Sequence, residues 1–234
     1  MILCLETATP VCSVALCDSE GNILKRESSD NRSHAIKRTI FIEELLSEAG
    51  IRTQELEAVA VSKGPGSYTG LRIGVSVAKG IAFGASVPLL GIETTRSMFN
   101  GVIADADQKY GTSSTSLFCP MIDARRMEVY YSIFDANGNM IKDISAEIIS
   151  ETSFSGIPEN IRIVFFGDGS EKCRNVAGHI NSVFVNDFVI SASDMYKTAS
   201  EKFLAGQFED VAYFEPFYLK DFIATVQRKN ILSF

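Results

Sequence analysis

The fold is decided by residues 64–82, which read GPGSYTGLRIGVSVAKGIA. They follow an apolar run, Ala58–Ser62, that predicts a buried strand, and Ser67 is a favourable N-cap for the helix predicted over Tyr68–Ala85. This helix contains four glycines. Each costs about 1 kcal/mol relative to alanine in a helix interior. We therefore expect neighbouring backbones to approach the helix closely, so that it lies between layers of the structure.

The same helix is apolar on two sides. A narrow polar seam, formed by Arg72, Ser76 and Lys79, separates two apolar lines. A helix that borders solvent on one face usually carries a single apolar stripe, so the second line indicates further contacts. One line consists of Leu71, Val75, Ala78 and Ala82, and the other of Ile73, Val77 and Ile81.

A second helix with surplus apolar surface is predicted over His34–Ala49, between an N-cap at Ser33 and a stop at Gly50. Its core face is a wide stripe, and Ile36 and Ile40 fall on nearly the opposite side. Either the rest of the chain covers these two residues, or they form a partner surface, as in an obligate oligomer. We predict that a partner contacts Ser33, His34, Ile36, Ile40, Arg72, Val75, Ser76 and Lys79.

The chain reads as two α/β units in succession. Each half opens with three short strands separated by turn residues and continues with strands and helices, which indicates a duplicated unit. In the second half we predict a helix that follows Gly167–Ser170 and runs to about Ile180, and a last helix from Ser193 to Leu204. The predicted boundaries are an N-terminal subdomain over residues 1–103, a linker over residues 104–116 and a C-terminal subdomain over residues 117–234.

The composition indicates a sizeable core and argues against a stand-alone RNA-binding protein. The chain has 234 residues, of which 46% are hydrophobic, and a formal charge of −7. Residues 101–234 carry a balance of −6, against −1 in residues 1–100. A polyanion would be repelled on average, since phosphate contacts need clustered Lys and Arg. Five cysteines without metal-site spacing, no signal peptide and no membrane-length apolar run predict a cytoplasmic protein without membrane association.

The sequence offers little catalytic chemistry. Gly64–Ser67 precedes a helix and could cradle an anion, but it lacks the end of a Walker loop, and a rigid turn is favoured. His34 has Arg38 one helical turn later, where a second metal ligand would lie, and His179 is predicted to cap a helix end. A Gly-x-Ser-x-Gly elbow is missing. We therefore predict no catalytic residue, no metal and no cofactor.

Several segments together resemble the TsaB (YeaZ) family. These are MILCLETATPVCSVAL, SHAIKRTIFIEELL, GPGSYTGLRIGVSVAKGIA, DARRMEVYYSIFD, FFGDGSEKC and FEPFYLKD, so the resemblance runs through nearly the whole chain. It implies a duplicated actin/Hsp70-like fold, of the ASKHA, ribonuclease H-like class, with two packed subdomains. It also implies a scaffold and activator role in forming threonylcarbamoyladenosine next to the anticodon of tRNAs.

The resemblance implies partners as well. A TsaD-type subunit carries the metal and the catalysis, a TsaE-type ATPase associates with the complex, and a TsaC-type enzyme makes the threonylcarbamoyl-adenylate. The chain would contact tRNA only indirectly. Without its partner, it would form a homodimer through the same surface, since an isologous contact needs only self-complementarity.

The chain departs from active members of that fold at the two hairpins that grip phosphates. Neither Glu6–Pro10 nor Asp123–Arg126 contains glycine, which hinders close approach of the backbone to a triphosphate. We interpret Glu6, Thr7 and Asp123 as a vestigial nucleotide and metal site, and the chain as a non-enzyme. The alternatives are an ATP-dependent small-molecule kinase of the same fold, with the two carboxylates holding Mg²⁺, and a metallopeptidase, against which the missing second histidine counts.

Overall fold

The protein folds into two five-stranded mixed sheets with helices packed on their faces. A computed structural model describes residues 1–28, 34–104 and 106–220, with residues 34–38 described as backbone only. No helix within these ranges is long and apolar enough to pass through a membrane.

The first sheet consists of β1 (Ile2–Glu6), β2 (Cys12–Cys17), β3 (Ile23–Ser28), β4 (Ala58–Gly64) and β5 (Leu89–Glu93). Its order is β3-β2-β1-β4-β5, antiparallel among the first three and parallel from β1 through β4 to β5. The inner strands are buried on both faces and therefore read as largely apolar runs, whereas the edge strand β3 alternates exposed and half-buried residues. The carboxyl ends of β1, β4 and β5 meet at one edge of the sheet.

The second sheet repeats this arrangement. It consists of β6 (Leu117–Asp123), β7 (Glu128–Asp135), β8 (Met140–Ile148), β9 (Ile163–Phe166) and β10 (Ser182–Phe184). The order β10-β9-β6-β7-β8 matches the first sheet strand for strand, with β6 in the place of β1, antiparallel to β7 and parallel to β9. The repeat confirms the predicted duplication of an α/β unit.

Helices cover the sheets, and each half lends an element to the other. Helices α1 (His34–Ala49) and α2 (Tyr68–Ala85) pack on one face of the first sheet. The opposite face is covered by α5 (Tyr196–Leu204) and the 3-10 turn Ala192–Met195, which come from the second half. Conversely, α3 (Thr94–Ile103) directly follows β5 and packs on the second sheet.

The structure confirms the predicted bounds of α1 and α2. The helix predicted from Ser193 begins instead with a 3-10 turn capped by Ser191, and it becomes an α-helix only at Tyr196. Residues 104–116, predicted as a linker, include a short helix, α4 (Ala106–Tyr110), whose first residue is buried against the second sheet.

The helix predicted after Gly167–Ser170 is wrong. That stretch forms only a 3-10 turn, Glu171–Cys173, followed by turns and the short strand β10. Gly178 takes a φ of +56°, and a Cβ there would lie 2.3 Å from the carbonyl oxygen of Glu151. The backbone therefore bends sharply where the helix was expected to continue.

Candidate functional site

The loop after β1 packs directly on the first turns of α2. A Cβ at Gly70 would lie 2.1 Å from the carbonyl oxygen of Thr7, and one at Gly74 would lie 2.2 Å from Thr7 Oγ1. Both positions therefore exclude any residue larger than glycine. The expected close approach of a neighbouring backbone is confirmed at Gly70, whereas Gly74 meets the Thr7 side chain, and in both cases the neighbour is the hairpin loop of the same half.

Three amide groups at the start of α2 form hydrogen bonds within the chain. The N–H of Ser67 donates to the carbonyl of Ala8 at 2.7 Å, and the N–H of Gly70 donates to Ser67 Oγ at 3.2 Å, as predicted for the N-cap. The N–H of Leu71 donates to the Ser67 carbonyl at 2.8 Å. These three donors are satisfied internally, and a Cβ at Gly66 would lie 2.5 Å from the Ala8 carbonyl oxygen, so the turn at Gly64–Ser67 packs closely on the hairpin loop.

Glu6 ends β1 with a carboxyl group that is fully buried. Its Oε1 accepts the N–H of Ala8 at 2.6 Å, while Oε2 has no hydrogen-bond partner among the residues that the structure describes. Burial raises the pKa of Glu6 to about 7, although hydrogen bonds from Ala8 and Ser62 oppose the shift. A carboxyl group that is partly protonated at pH 7 and closed off from solvent is poorly suited to hold Mg²⁺.

Asp123 ends β6, in the position equivalent to Glu6, and its surroundings are the opposite. Its side chain is 46% exposed and forms an ion pair with Lys172. Its Oδ1 also accepts the N–H of Arg125 at 2.9 Å, and its own N–H donates to Asp168 at 3.0 Å. The carboxylate therefore fixes the turn that follows β6.

The three residues predicted as a vestigial site, Glu6, Thr7 and Asp123, thus occupy unlike surroundings. The Thr7 hydroxyl is buried against α2 and has no described partner. Within the described ranges, no three His, Cys, Asp or Glu side chains are grouped so that they could hold a metal ion. The interpretation as a vestigial site and the expected absence of a metal and a cofactor stay predictions.

A cavity of about 700 Å³ lies at the carboxyl ends of β9 and β10. Arg174 is the cation of its lining, and the guanidinium donates to Glu171 and Asn186 and lies over the Phe184 ring. Because this group is held by the chain itself, the cavity offers poor chemistry for a phosphate.

Exposed apolar side chains project from the two helices of the first half. Ile40 of α1 is 45% exposed, and Phe83 of α2 is 80% exposed. The predicted polar seam is exposed at Arg72 and Ser76, where Ser76 Oγ donates to the Arg72 carbonyl at 2.7 Å. We call these exposed residues, Ile40 on α1 and Arg72, Ser76 and Phe83 on α2, the helix face.

Two residues predicted to contact a partner are not available on the helix face. Val75 is 4% exposed and belongs to the core, because it lies on the side of α2 that faces the sheet. The Lys79 ammonium group donates to the carbonyls of Ala212 and Phe214 at 3.1 and 3.0 Å, so it holds the chain's own C-terminal segment. The predicted contacts that lie outside the described side chains are Ser33, His34 and Ile36.

Gly80 and Gly84 extend the helix face, and no residue in the described part of the chain packs on them. A Cβ at either position would meet no heavy atom within 4 Å. They follow Ser76 at intervals of four residues and form a flat, exposed strip with it along α2. Packing within the chain therefore does not explain these two glycines, whereas it does explain Gly70 and Gly74.

Sequence reasoning missed the role of the C-terminal segment, residues 208–220. The N–H of Phe217 donates to the Lys63 carbonyl at 2.7 Å, and the Tyr218 ring lies 4.9 Å from the Tyr68 ring between centroids. The segment thus passes over the end of β4 and the start of α2.

The same segment reaches the second half, where Lys220 forms an ion pair with Glu128 at the start of β7. It therefore connects the two halves at the edge where the parallel strands end. The available signal was the run of aromatic residues around Pro216, since exposed aromatics in an extended stretch favour packing on a neighbouring surface.

Comparisons with known proteins agree on one family. The model of the family described as TsaD, tRNA N6-adenosine threonylcarbamoyltransferase, matches residues 26–226. The tRNA threonylcarbamoyladenosine biosynthesis protein TsaB of Escherichia coli (strain K12) is 29% identical over 232 residues, which are 95% of this chain and 96% of that protein. The tRNA N6-adenosine threonylcarbamoyltransferase of Geobacter sp. (strain M21) is 35% identical over 34% of this chain and 23% of that protein.

The fold has a close match among solved structures. A protein from Pseudomonas aeruginosa with similarity to peptidase YEAZ superposes with a TM-score of 0.80 at 24% identity, over 94% of this chain and 99% of that chain. The topology and this match together define a protein with a duplicated α/β fold of two mixed sheets. The chain belongs to the TsaD family, because the family model matches most of its length. The resemblance to TsaB (YeaZ) is confirmed as well.

Proposed function

We propose that the chain is a non-catalytic scaffold and activator subunit of the complex that attaches threonylcarbamoyl to adenosine next to the anticodon of tRNAs. It acts by binding a TsaD-type catalytic subunit through the helix face. The names of its relatives support this pathway, since they describe threonylcarbamoyladenosine biosynthesis and the transferase itself.

The flat strip of α2 is the observation that carries the proposal. Gly80 and Gly84 cost about 1 kcal/mol each relative to alanine, and no contact with the residues that the structure describes offsets that cost. A helix of another subunit can approach such a strip closely and cover the exposed side chain of Phe83 on the same helix, while Ile40 offers an exposed apolar side chain on α1. The helix face thus has the small residues and the apolar flanks that helix-to-helix docking needs.

The hairpin loops support a role without catalysis. Glu6 is buried and partly neutral, and three amides at the start of α2, those of Ser67, Gly70 and Leu71, are already bonded within the chain. A kinase of this fold would need an accessible carboxylate and free donors at this edge to hold Mg²⁺ and phosphates. Catalysis therefore falls to the partner, while this chain supplies a surface.

The same surface accounts for the remaining partners. In the absence of the catalytic subunit, the helix face pairs with a second copy of the chain, because both copies present the same small and apolar residues. A TsaE-type ATPase then joins the assembled pair of subunits.

The test is sedimentation velocity of the wild type and Ile40→Asp, each alone and with the TsaD-type protein of the same cell. An unpaired carboxylate buried in the interface costs several kcal/mol, so we expect the affinity to fall by about a hundredfold or more. The matched control is Ile141→Asp, because Ile141 is 59% exposed on β8, away from the helix face. We expect it to assemble like the wild type.

Assembly of Ile40→Asp with wild-type affinity would refute the proposed docking surface. A circular dichroism melt of each variant accompanies the measurement. If Ile40→Asp, measured without the partner, unfolds at a much lower temperature than the wild type, the residue belongs to the core. That result would also refute the assignment of Ile40 to the docking surface.

A further inference from the structure

A stripe of arginines, lysine and tyrosines runs along the edge where the parallel strands of both sheets end. We define the rim stripe as Arg72, Tyr68, Tyr218, Lys220, Arg125 and Arg126. Arg72 donates to the Tyr68 hydroxyl at 2.7 Å, and its guanidinium lies 5.1 Å from the centre of that ring. Tyr218 packs on Tyr68 in turn, so three of these side chains form one continuous stack.

The stripe continues into the second half through direct contacts. Lys220 pairs with Glu128, whose N–H donates to the carbonyl of Arg125 at 3.2 Å in the hairpin between β6 and β7. Arg125 and Arg126 are both exposed at the tip of that hairpin. The six residues therefore form a surface that spans both halves.

The hairpin holds its two arginines in an unfavourable backbone conformation. Arg125 has a φ of +69° and Arg126 a φ of +53°, values that glycine or asparagine adopts more readily. A left-handed conformation at a residue with a side chain is disfavoured, and here it occurs at two consecutive positions. The tip thus carries two arginines at positions where glycine or asparagine would fit the backbone with less strain.

The charge of the stripe is opposite to that of the chain. Lys172 and Lys220 neutralise Asp123 and Glu128, and no described carboxylate forms an ion pair with either arginine at the tip. The positive surplus therefore lies at the tip and at Arg72, in a chain whose formal charge is −7.

We infer that the rim stripe binds the sugar-phosphate backbone and an unpaired base of RNA, namely the tRNA on which the complex acts. The inference rests on the proposed function, and it replaces the expectation that this chain meets tRNA only indirectly. The guanidinium groups of Arg125 and Arg126 contact phosphates, and an unpaired base stacks on the ring of Tyr218, which is 36% exposed. Since Arg72 belongs to both surfaces, RNA on the stripe lies next to the catalytic subunit on the helix face.

The combination of groups favours RNA over an acidic protein. Paired guanidinium groups suit phosphate oxygens, and aromatic faces beside them suit unpaired bases. An acidic protein would use the cations and leave the exposed tyrosine ring without a role. Loss of a bound protein from a variant of the hairpin would instead identify the stripe as a protein interface.

The test measures binding of a labelled substrate tRNA transcript to the assembled complex with the catalytic subunit. The first variant carries Arg125→Gly and Arg126→Gly, which remove both charges and relieve the left-handed backbone. The second carries Arg125→Lys and Arg126→Lys, which keep the charges. A control with Arg52→Gln and Lys197→Gln loses the same net charge at exposed positions outside the stripe.

We expect the glycine variant to bind tRNA more weakly and with a smaller salt dependence. Two lost phosphate contacts to a single strand reduce the slope of log K against log salt by about 1.4. The ratio of the wild-type affinity for tRNA to that of the glycine variant should therefore fall roughly sevenfold as the salt concentration rises from about 50 to about 200 mM. The lysine variant and the charge-matched control should bind as the wild type does.

A glycine variant with wild-type affinity and salt slope would overturn the inference. Loss of the catalytic subunit from the glycine variant, measured by sedimentation, would also overturn it, because the hairpin would then be a protein interface. In that case the proposed function would stand, whereas a wild-type chain that does not bind the catalytic subunit would refute the proposed function itself.

Discussion

The two halves of the protein share one strand order and differ in the loop that follows their first strand. In the first half, the loop after Glu6 is pressed against α2 and the carboxyl group is buried. In the second half, the loop after Asp123 projects two arginines, and the carboxylate is exposed beside Lys172.

The covering elements explain this difference. The first half has α1 and α2 on its outer face, and the start of α2 closes over the hairpin loop. In the second half, the places of these helices are taken by turns at residues 149–162 and by the 3-10 turn Glu171–Cys173. A duplicated sheet thus sets the positions of equivalent residues, while the elements packed on it decide which of them remain accessible.

The largest effect on the free energy of unfolding should follow from disrupting the contact between α2 and the hairpin loop of the first half. Gly70→Ala places a Cβ against the Thr7 carbonyl, and we expect a loss of about 3 kcal/mol in the free energy of unfolding. Gly80→Ala is the matched control, because it meets no neighbour and should stabilise the isolated chain by up to about 1 kcal/mol. Urea unfolding of both variants checks the prediction, and equal effects would contradict the contrast between the two glycines.

A smaller effect on the free energy of unfolding should follow from replacing Glu6. Burial raises the pKa of its carboxyl group from 4.5 to about 7. The native protein keeps a proton that the unfolded chain releases, so stability falls as the pH rises through this interval and is lowest above it. Glu6→Gln removes that contribution. From pH 5 to pH 8, we expect the free energy of unfolding of the wild type to fall by about 2 kcal/mol more than that of the variant.

The measurement is urea unfolding of the wild type and Glu6→Gln at both pH values. Part of the pH dependence should remain in the variant, because burial also raises the pKa of Asp194 to about 6. If the free energy of unfolding changes by the same amount between the two pH values in Glu6→Gln and in the wild type, Glu6 is ionised in the native protein.

The smallest effect on the free energy of unfolding should follow from replacing Asp123, which occupies the position of Glu6 in the second half. The ion pair of Asp123 with Lys172 is largely open to solvent, so Asp123→Asn should change stability by no more than about 1 kcal/mol. A loss as large as that expected for Gly70→Ala would remove the contrast between the halves.

Local pattern was enough to predict most of the helices and strands of this fold, although α4 and β10 were missed. The apolar spacing within His34–Ala49 and Tyr68–Ala85 sets both helices, and turn residues separate the strands of each meander. The pattern misled where a segment is short and rich in glycine, as after Gly167–Ser170. There a contact with Glu151, distant in sequence, bends the backbone.

The candidate site was less predictable because it depends on contacts between distant segments. Glu6 and Asp123 both end an apolar strand, and only the packing of α2 on the first loop makes them different. Lys79 was expected to face a partner, but the carbonyls of Ala212 and Phe214 occupy it. Spacing along one helix carries no information about a segment more than a hundred residues later.

The central claim is that this chain contributes a docking surface and no catalysis, and a reconstituted modification reaction tests it most directly. Threonylcarbamoyl transfer to a tRNA transcript is measured with the TsaD-type subunit and the other components held constant, while variants of this chain are exchanged. We predict that Glu6→Gln combined with Asp123→Asn supports the wild-type rate, and that Ile40→Asp reduces the rate to that without this chain. Loss of activity in the carboxylate variant, with full activity in Ile40→Asp, would contradict the account.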